Sequence, residues 1–153
     1  MTITRIDAEA RWSDVVIHNQ TLYYTGVPEN LQADAYEQTA NTLAQIDAIL
    51  QKQGSDKTKI LDATIFLANG DDFAAMNKAW DEWVVAGHAP VRCTVQARLM
   101  KAEYKVEIKI IAAVSLPYSS SSSSSKRATI CSPVWVARIS AATSAIASPL
   151  LIP

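Results

Sequence analysis

Arg92 stands between Val91 and Cys93 in the run "HAPVRCTVQARLM", whose alternating, β-branched character reads as a strand. An arginine is expensive to bury, so on a half-buried strand it either faces water or holds something negative. Its planar fork of donors matches a carboxylate, which it can grip with two parallel hydrogen bonds. Glu107, in "YKVEIKIIA", is the second candidate. A carboxylate across a cleft from such a clamp can accept a proton from water, given hydrogen-bond reach and a modestly raised pKa. Plainer roles exist for both: Arg92 as an ion-pair partner at a subunit interface, and Glu107 as the partner of Lys105 or Lys109 on an exposed strand.

The other reactive residue types offer less. His18 and His88 are isolated, with no i,i+4 partner and no acidic support, so neither belongs to a metal site. Cys93 and Cys131 are far apart, without CxxC spacing or neighbouring histidines, which argues against a disulfide framework and a cysteine zinc site. Cys93 is expected on the apolar face of its strand, where a thiol packs more often than it attacks. The chain has four glycines and no glycine-rich phosphate loop. No metal and no cofactor are expected.

The elements that must position these residues are legible in residues 1–114. "DVVIHNQTLYYTG" gives two short strands around a tight Asn19-Gln20 turn, ended by Gly26-Val27-Pro28. From Ala33 to Gln53, Thr39, Leu43, Ile46 and Leu50 recur on one helical face, and Gly54 supplies a stop signal. In "KILDATIFLA", Leu61, Ala63, Ile65 and Leu67 alternate with Asp62 and Thr64 as a strand that ends at Asn69-Gly70. Asp71 or Asp72 can cap a second helix in which Phe73, Met76, Trp80 and Val84 line up as core, with Gly87 as its stop. On the next strand Val91, Cys93, Val95 and Ala97 share one face, and Arg92, Thr94, Gln96 and Arg98 the other. On the last, Val106, Ile108 and Ile110 face in, against Lys105, Glu107 and Lys109. The order strand, strand, helix, strand, helix, strand, strand predicts an α+β domain with a single sheet covered on one face by two helices. The open face, carrying Thr, Gln, Arg and Glu, is expected to pack against copies of the same chain.

Composition changes at about residue 115. Residues 115–153 contain a run of seven serines and no acidic residue, and read as a Ser-rich low-complexity tail, disordered or not native to the domain. Pro133, Arg138 and Pro149 interrupt its apolar stretches, so no membrane span is expected there. The balance of 14 basic against 15 acidic residues gives no field for nucleic acid, leaving small molecules and proteins as partners. The charged N-terminus has no apolar signal region, so a cytoplasmic address is expected.

"DATIFLANGDDFAAMNKAWDEWV", "HAPVRCTVQARLM" and "KVEIKIIAAV" resemble the Rid family of reactive intermediate deaminases, also called the YjgF family. That family's motif is Pro, a small residue, Arg, two variable residues and Val, followed by a closing strand with Val-Glu-Ile. The resemblance implies a chorismate-mutase-like subunit, a homotrimer with inter-subunit clefts, and hydrolysis of enamines and imines such as 2-aminoacrylate to 2-keto acids and ammonia. It implies Arg92 as the carboxylate-binding arginine, with Cys93 and Thr94 beside it, and Glu107 as the residue that positions or activates water. Thr25 and Gly26 would form the loop approaching substrate, and Asn77 corresponds to an asparagine of the family's second helix. The chain departs from the pattern in lacking the N-terminal Gly-Pro-Tyr segment, where Trp12 and Ser13 at best stand nearby, and in having Cys-Thr after Arg92, where many members place the cysteine second. Cysteine nucleophilic catalysis is therefore not required. Two other classes remain: a non-catalytic metabolite-binding regulator using the same cleft, and an RNA-cleaving or translation-inhibiting protein, against which the neutral charge and lack of a basic aromatic face argue.

Overall fold

The computed structural model describes residues 2–115; the tail assigned from composition lies outside the described residues, apart from Ser115. Six strands form one sheet: β1 (Thr4–Ala8), β2 (Ser13–His18), β3 (Thr21–Gly26), β4 (Ile60–Leu67), β5 (Val91–Gln96) and β6 (Val106–Ala113), in the order β1-β2-β3-β6-β4-β5. Two helices, α1 (Ala35–Lys52) and α2 (Phe73–Trp83), pack together on one face. All strand pairs are antiparallel except β4 with β5, which are parallel and joined through α2. This is the α+β, chorismate-mutase-like arrangement, with β1 as an added edge strand that the sequence pattern did not reveal.

Local chemistry explains the boundaries. Asn19 and Gln20 adopt φ of 49° and 58°, the mirror-image turn whose twist suits a two-residue hairpin. Asp34 caps α1 by accepting from the Glu37 amide at 2.8 Å. Gly54, at φ 73°, ends that helix in a left-handed cap: the Ser55 and Gly54 amides donate to the Leu50 and Gln51 carbonyls at 2.8 and 3.1 Å. The buried Gln38 amide on α1 accepts from the Lys105 amide at 2.8 Å and donates to the Glu103 carbonyl at 3.0 Å, tying the loop before β6 to the helix layer.

The core lies between sheet and helices, built from Leu43, Ile46 and Leu50 of α1, Met76 and Trp80 of α2, and the inward residues of β3, β4 and β6. Three readings of the pattern are corrected here. Leu61 is 52% exposed, because a bulge between Ile60 and Asp62 shifts the alternation and buries Ile60 in its place. Phe73 sits exposed at the start of α2, and Val84 lies just past the helix in extended conformation, so the buried stripe of α2 is Met76, Ala79 and Trp80. Val91, Cys93 and Val95 of β5 are exposed on the open face, while Arg92 and Thr94 turn toward the helices. An edge strand can do this because its neighbours on the helix side are an indole and an amide rather than aliphatic side chains alone.

Candidate functional site

Arg92 occupies the register position opposite Ala63, and Ala63 lies opposite Ile110, so its side chain emerges on the helix-covered face of the sheet. There α2 presents Asn77 and Trp80, three residues apart and therefore neighbours on one face of the helix. The Arg92 Nη1 donates to Asn77 Oδ1 at 2.9 Å, and the guanidinium lies 5.3 Å from the centroid of the Trp80 ring. Trp80 is itself buried and rests in a tilted contact with Trp83 at 5.4 Å. Trp83 in turn donates its indole N–H to Asp47 on α1 at 2.8 Å.

Arg92 is thus a half-buried cation with no carboxylate partner among the described residues. Among the described residues the ion pairs are Lys57–Asp47 at 3.9 Å and Lys59–Asp56 at 3.8 Å, and neither involves it. Two residues along the same strand face, the Thr94 hydroxyl is buried with no hydrogen-bond partner among the described residues. A guanidinium that is always charged, next to an uncommitted buried hydroxyl, is suited to a small anion carrying a second polar group.

The other expected residues fall elsewhere in one chain. Glu107 projects between the buried Val106 and Ile108, onto the open face, in a row with Phe66 and Val95. Thr25, Lys109, Thr64 and Cys93 form the adjacent row on that face. The Cys93 sulfur stands 3.6 Å from the Thr64 hydroxyl, so it neighbours polar groups rather than packing among apolar ones. Gly26 is buried beneath α1, where an added Cβ would meet Thr42 at 3.0 Å. Trp12 lies between β1 and β2 and is exposed. The structure therefore brings together Arg92, Asn77 and Thr94, and leaves Glu107, Cys93 and Thr25 on the opposite face. Trp80, read from its spacing as core in preference to a ligand platform, is core and also lies beneath the Arg92 guanidinium. The i,i+3 step from Asn77 to Trp80 is the signal that could have placed it there.

An open pocket of about 540 Å³, lined by Ala68, Gln96, Ala97, Arg98, Leu99, Met100 and Ala102, lies where β4 and β5 end. It shares no residue with the Arg92 cluster, whose chemistry is the more specific.

A family model described as endoribonuclease L-PSP matches residues 2–114. The RutC family protein YoaB of Escherichia coli is 84% identical over 114 residues, which are 74% of this chain and all of that protein. A crystal structure of a YjgF family member from Neisseria meningitidis is 45% identical with a TM-score of 0.73, covering 76% of this chain and 98% of the other. A Rid family protein of unknown function from Yersinia pestis, YyfA, is 28% identical with a TM-score of 0.67, covering 74% of this chain and all of the other.

Proposed function

This chain belongs to the family that the L-PSP model describes, the one that includes the RutC, YjgF and Rid proteins, and on that premise we propose that it hydrolyses reactive enamines and imines of 2-aminoacrylate type. The observation that carries the reading is the setting of Arg92: a half-buried guanidinium, held by Asn77 at 2.9 Å, with no carboxylate partner among the described residues.

The chemistry asks little of the protein. Arg92 grips the carboxylate of the imino acid and fixes its plane. Water adds to the imine carbon, a proton passes from that water to the nitrogen, the C–N bond breaks, and a 2-keto acid and ammonia leave. Enamines and imines hydrolyse unaided in water, so positioning and modest differential stabilisation of the transition state are sufficient. Thr94 offers its hydroxyl to the polar group next to the carboxylate. In one chain Glu107 and Arg92 lie on opposite faces of the sheet. We assign Glu107 as the proton acceptor in a cleft between copies of the chain, where the open face of one subunit adjoins the β5 edge of another in the proposed homotrimer.

That separation also favours a second reading, in which the Arg92 site binds a 2-keto acid without turnover and acts as a metabolite sensor. Ammonia release from an imine generated in situ by an amino acid oxidase separates the two. The deaminase reading expects release faster than in buffer, in proportion to added protein. Binding of 2-oxobutyrate with no acceleration would instead establish the sensor.

A further inference from the structure

We propose that Trp80 is a positioning residue for Arg92: its indole face sets the plane of the guanidinium so that one edge stays free for a carboxylate. This rests on the proposed carboxylate site and deepens it by naming what orients the clamp.

An arginine at a strand edge has four side-chain torsions and loses that freedom only where its surroundings remove it. Here two contacts do so. The Trp80 ring lies 5.3 Å below the guanidinium carbon and restricts tilt, while Asn77 Oδ1 takes an Nη1 proton at 2.9 Å and restricts rotation within the plane. Among the described residues Nη1 is the only guanidinium nitrogen with a hydrogen-bond partner, and the other edge, formed by Nε and Nη2, has the two parallel donors that suit a carboxylate. Neither partner competes with the ligand: an indole and an amide carry no charge, so the site keeps its full positive charge.

Trp80 can serve as a floor because it cannot move away. It is 5% exposed. It is braced by Trp83, whose indole N–H is fixed on Asp47 at 2.8 Å. The position of the guanidinium is therefore referred to the α1–α2 layer rather than to the edge strand alone. A tryptophan kept only for volume would need no cation over its ring, and another large apolar residue would serve as well.

The test compares Trp80→Leu and Trp80→Phe with a destabilised control, Leu22→Ala, which lies on β3, three strands from β5. Three quantities are measured: the melting temperature, the dissociation constant for 2-oxobutyrate by calorimetry, and the Arg92 Nε–H resonance by NMR in the absence of ligand. Trp80→Leu is expected to weaken 2-oxobutyrate binding roughly 2- to 30-fold, the range that a cation–π contact spans from exposed to desolvated settings. It should also move the Nε–H signal downfield, out of the ring current. Trp80→Phe keeps an aromatic face and should retain most of the affinity, whereas Leu22→Ala should lose thermal stability and keep its affinity.

Equal affinities for the wild type and both Trp80 variants, or an Nε–H resonance that Trp80→Leu leaves in place, would overturn the proposal. So would an equal loss of affinity in Leu22→Ala. If the wild type itself fails to bind 2-oxobutyrate while the Nε–H resonance still reports an ordered, ring-shifted guanidinium, the carboxylate-site reading fails and the positioning of Arg92 by Trp80 stands.

Discussion

At the scale of single residues, two side chains on one strand face carry the account. Arg92 has given one donor to Asn77 and rests on Trp80, yet has no carboxylate partner among the described residues. Thr94, two positions on, buries a hydroxyl with no partner among the described residues. A polar group buried without a partner typically costs about 1–3 kcal/mol, so its retention in a folded chain calls for another role. Thr94→Val removes the hydroxyl at nearly constant shape. If the hydroxyl serves a ligand, this variant should be as stable as the wild type or more stable by about 1 kcal/mol, a rise in melting temperature of a few degrees. It should also bind 2-oxobutyrate less tightly, by roughly 5- to 10-fold for one neutral hydrogen bond. Thermal melts and calorimetry on the same samples check both halves, and unchanged affinity would return Thr94 to a packing role.

At the scale of elements, the pattern of apolar residues was enough to place two helices, the hairpin and the complete inward-facing rows of α1 and β6, because each follows a period of 3.6 or 2 with stop signals at its ends. Thr39, Leu43, Ile46 and Leu50 are all buried where helical spacing puts them, and Val106, Ile108 and Ile110 where alternation does. The misreadings have separate physical causes. β1 went unseen because it is a short edge strand whose residues are mostly exposed, leaving no alternation to detect. Leu61 was assigned inward because a bulge inserts a residue without marking the sequence. The faces of β5 came out reversed for the most instructive reason. Apolar residues point inward by default, and that default fails on a strand whose open face is available for another subunit and whose inner side chain is an arginine received by Trp80 and Asn77. Arg92 could be named as a candidate binding residue from its type and its motif. That Glu107 lies on the opposite face could not, since it depends on the register between β6, β4 and β5.

At the scale of the whole molecule, a sheet with helices on one side leaves the other side open. That open face carries Tyr23, Val91 and Val95 at 41%, 74% and 44% exposure, beside Phe66 and Ile111. A face of this character fits packing between copies, and the proposed homotrimer would cover it while bringing Glu107 of one subunit toward the Arg92 edge of another. Val95→Asp buries an unpaired charge in that contact and is expected to sediment as a monomer, whereas the chain ending at Val114 should sediment as the wild-type assembly does. The Escherichia coli relative, matched over its entire length by 114 residues, makes that shorter chain a natural one to compare. A Val95→Asp protein that stays assembled would remove the open face from the interface. The central claim, that Arg92 holds the carboxylate of an imino acid during hydrolysis, is tested most directly by the rate of ammonia release with Arg92→Ala. Two charge-assisted hydrogen bonds of about 1.5–3 kcal/mol each predict a loss of roughly 10² or more in rate, with the protein still folded and its sedimentation unchanged, and only part of the rate recovered by Arg92→Lys. An Arg92→Ala protein that melts lower or dissociates, yet releases ammonia at the normal rate wherever it remains assembled, would contradict the claim and make Arg92 a structural residue.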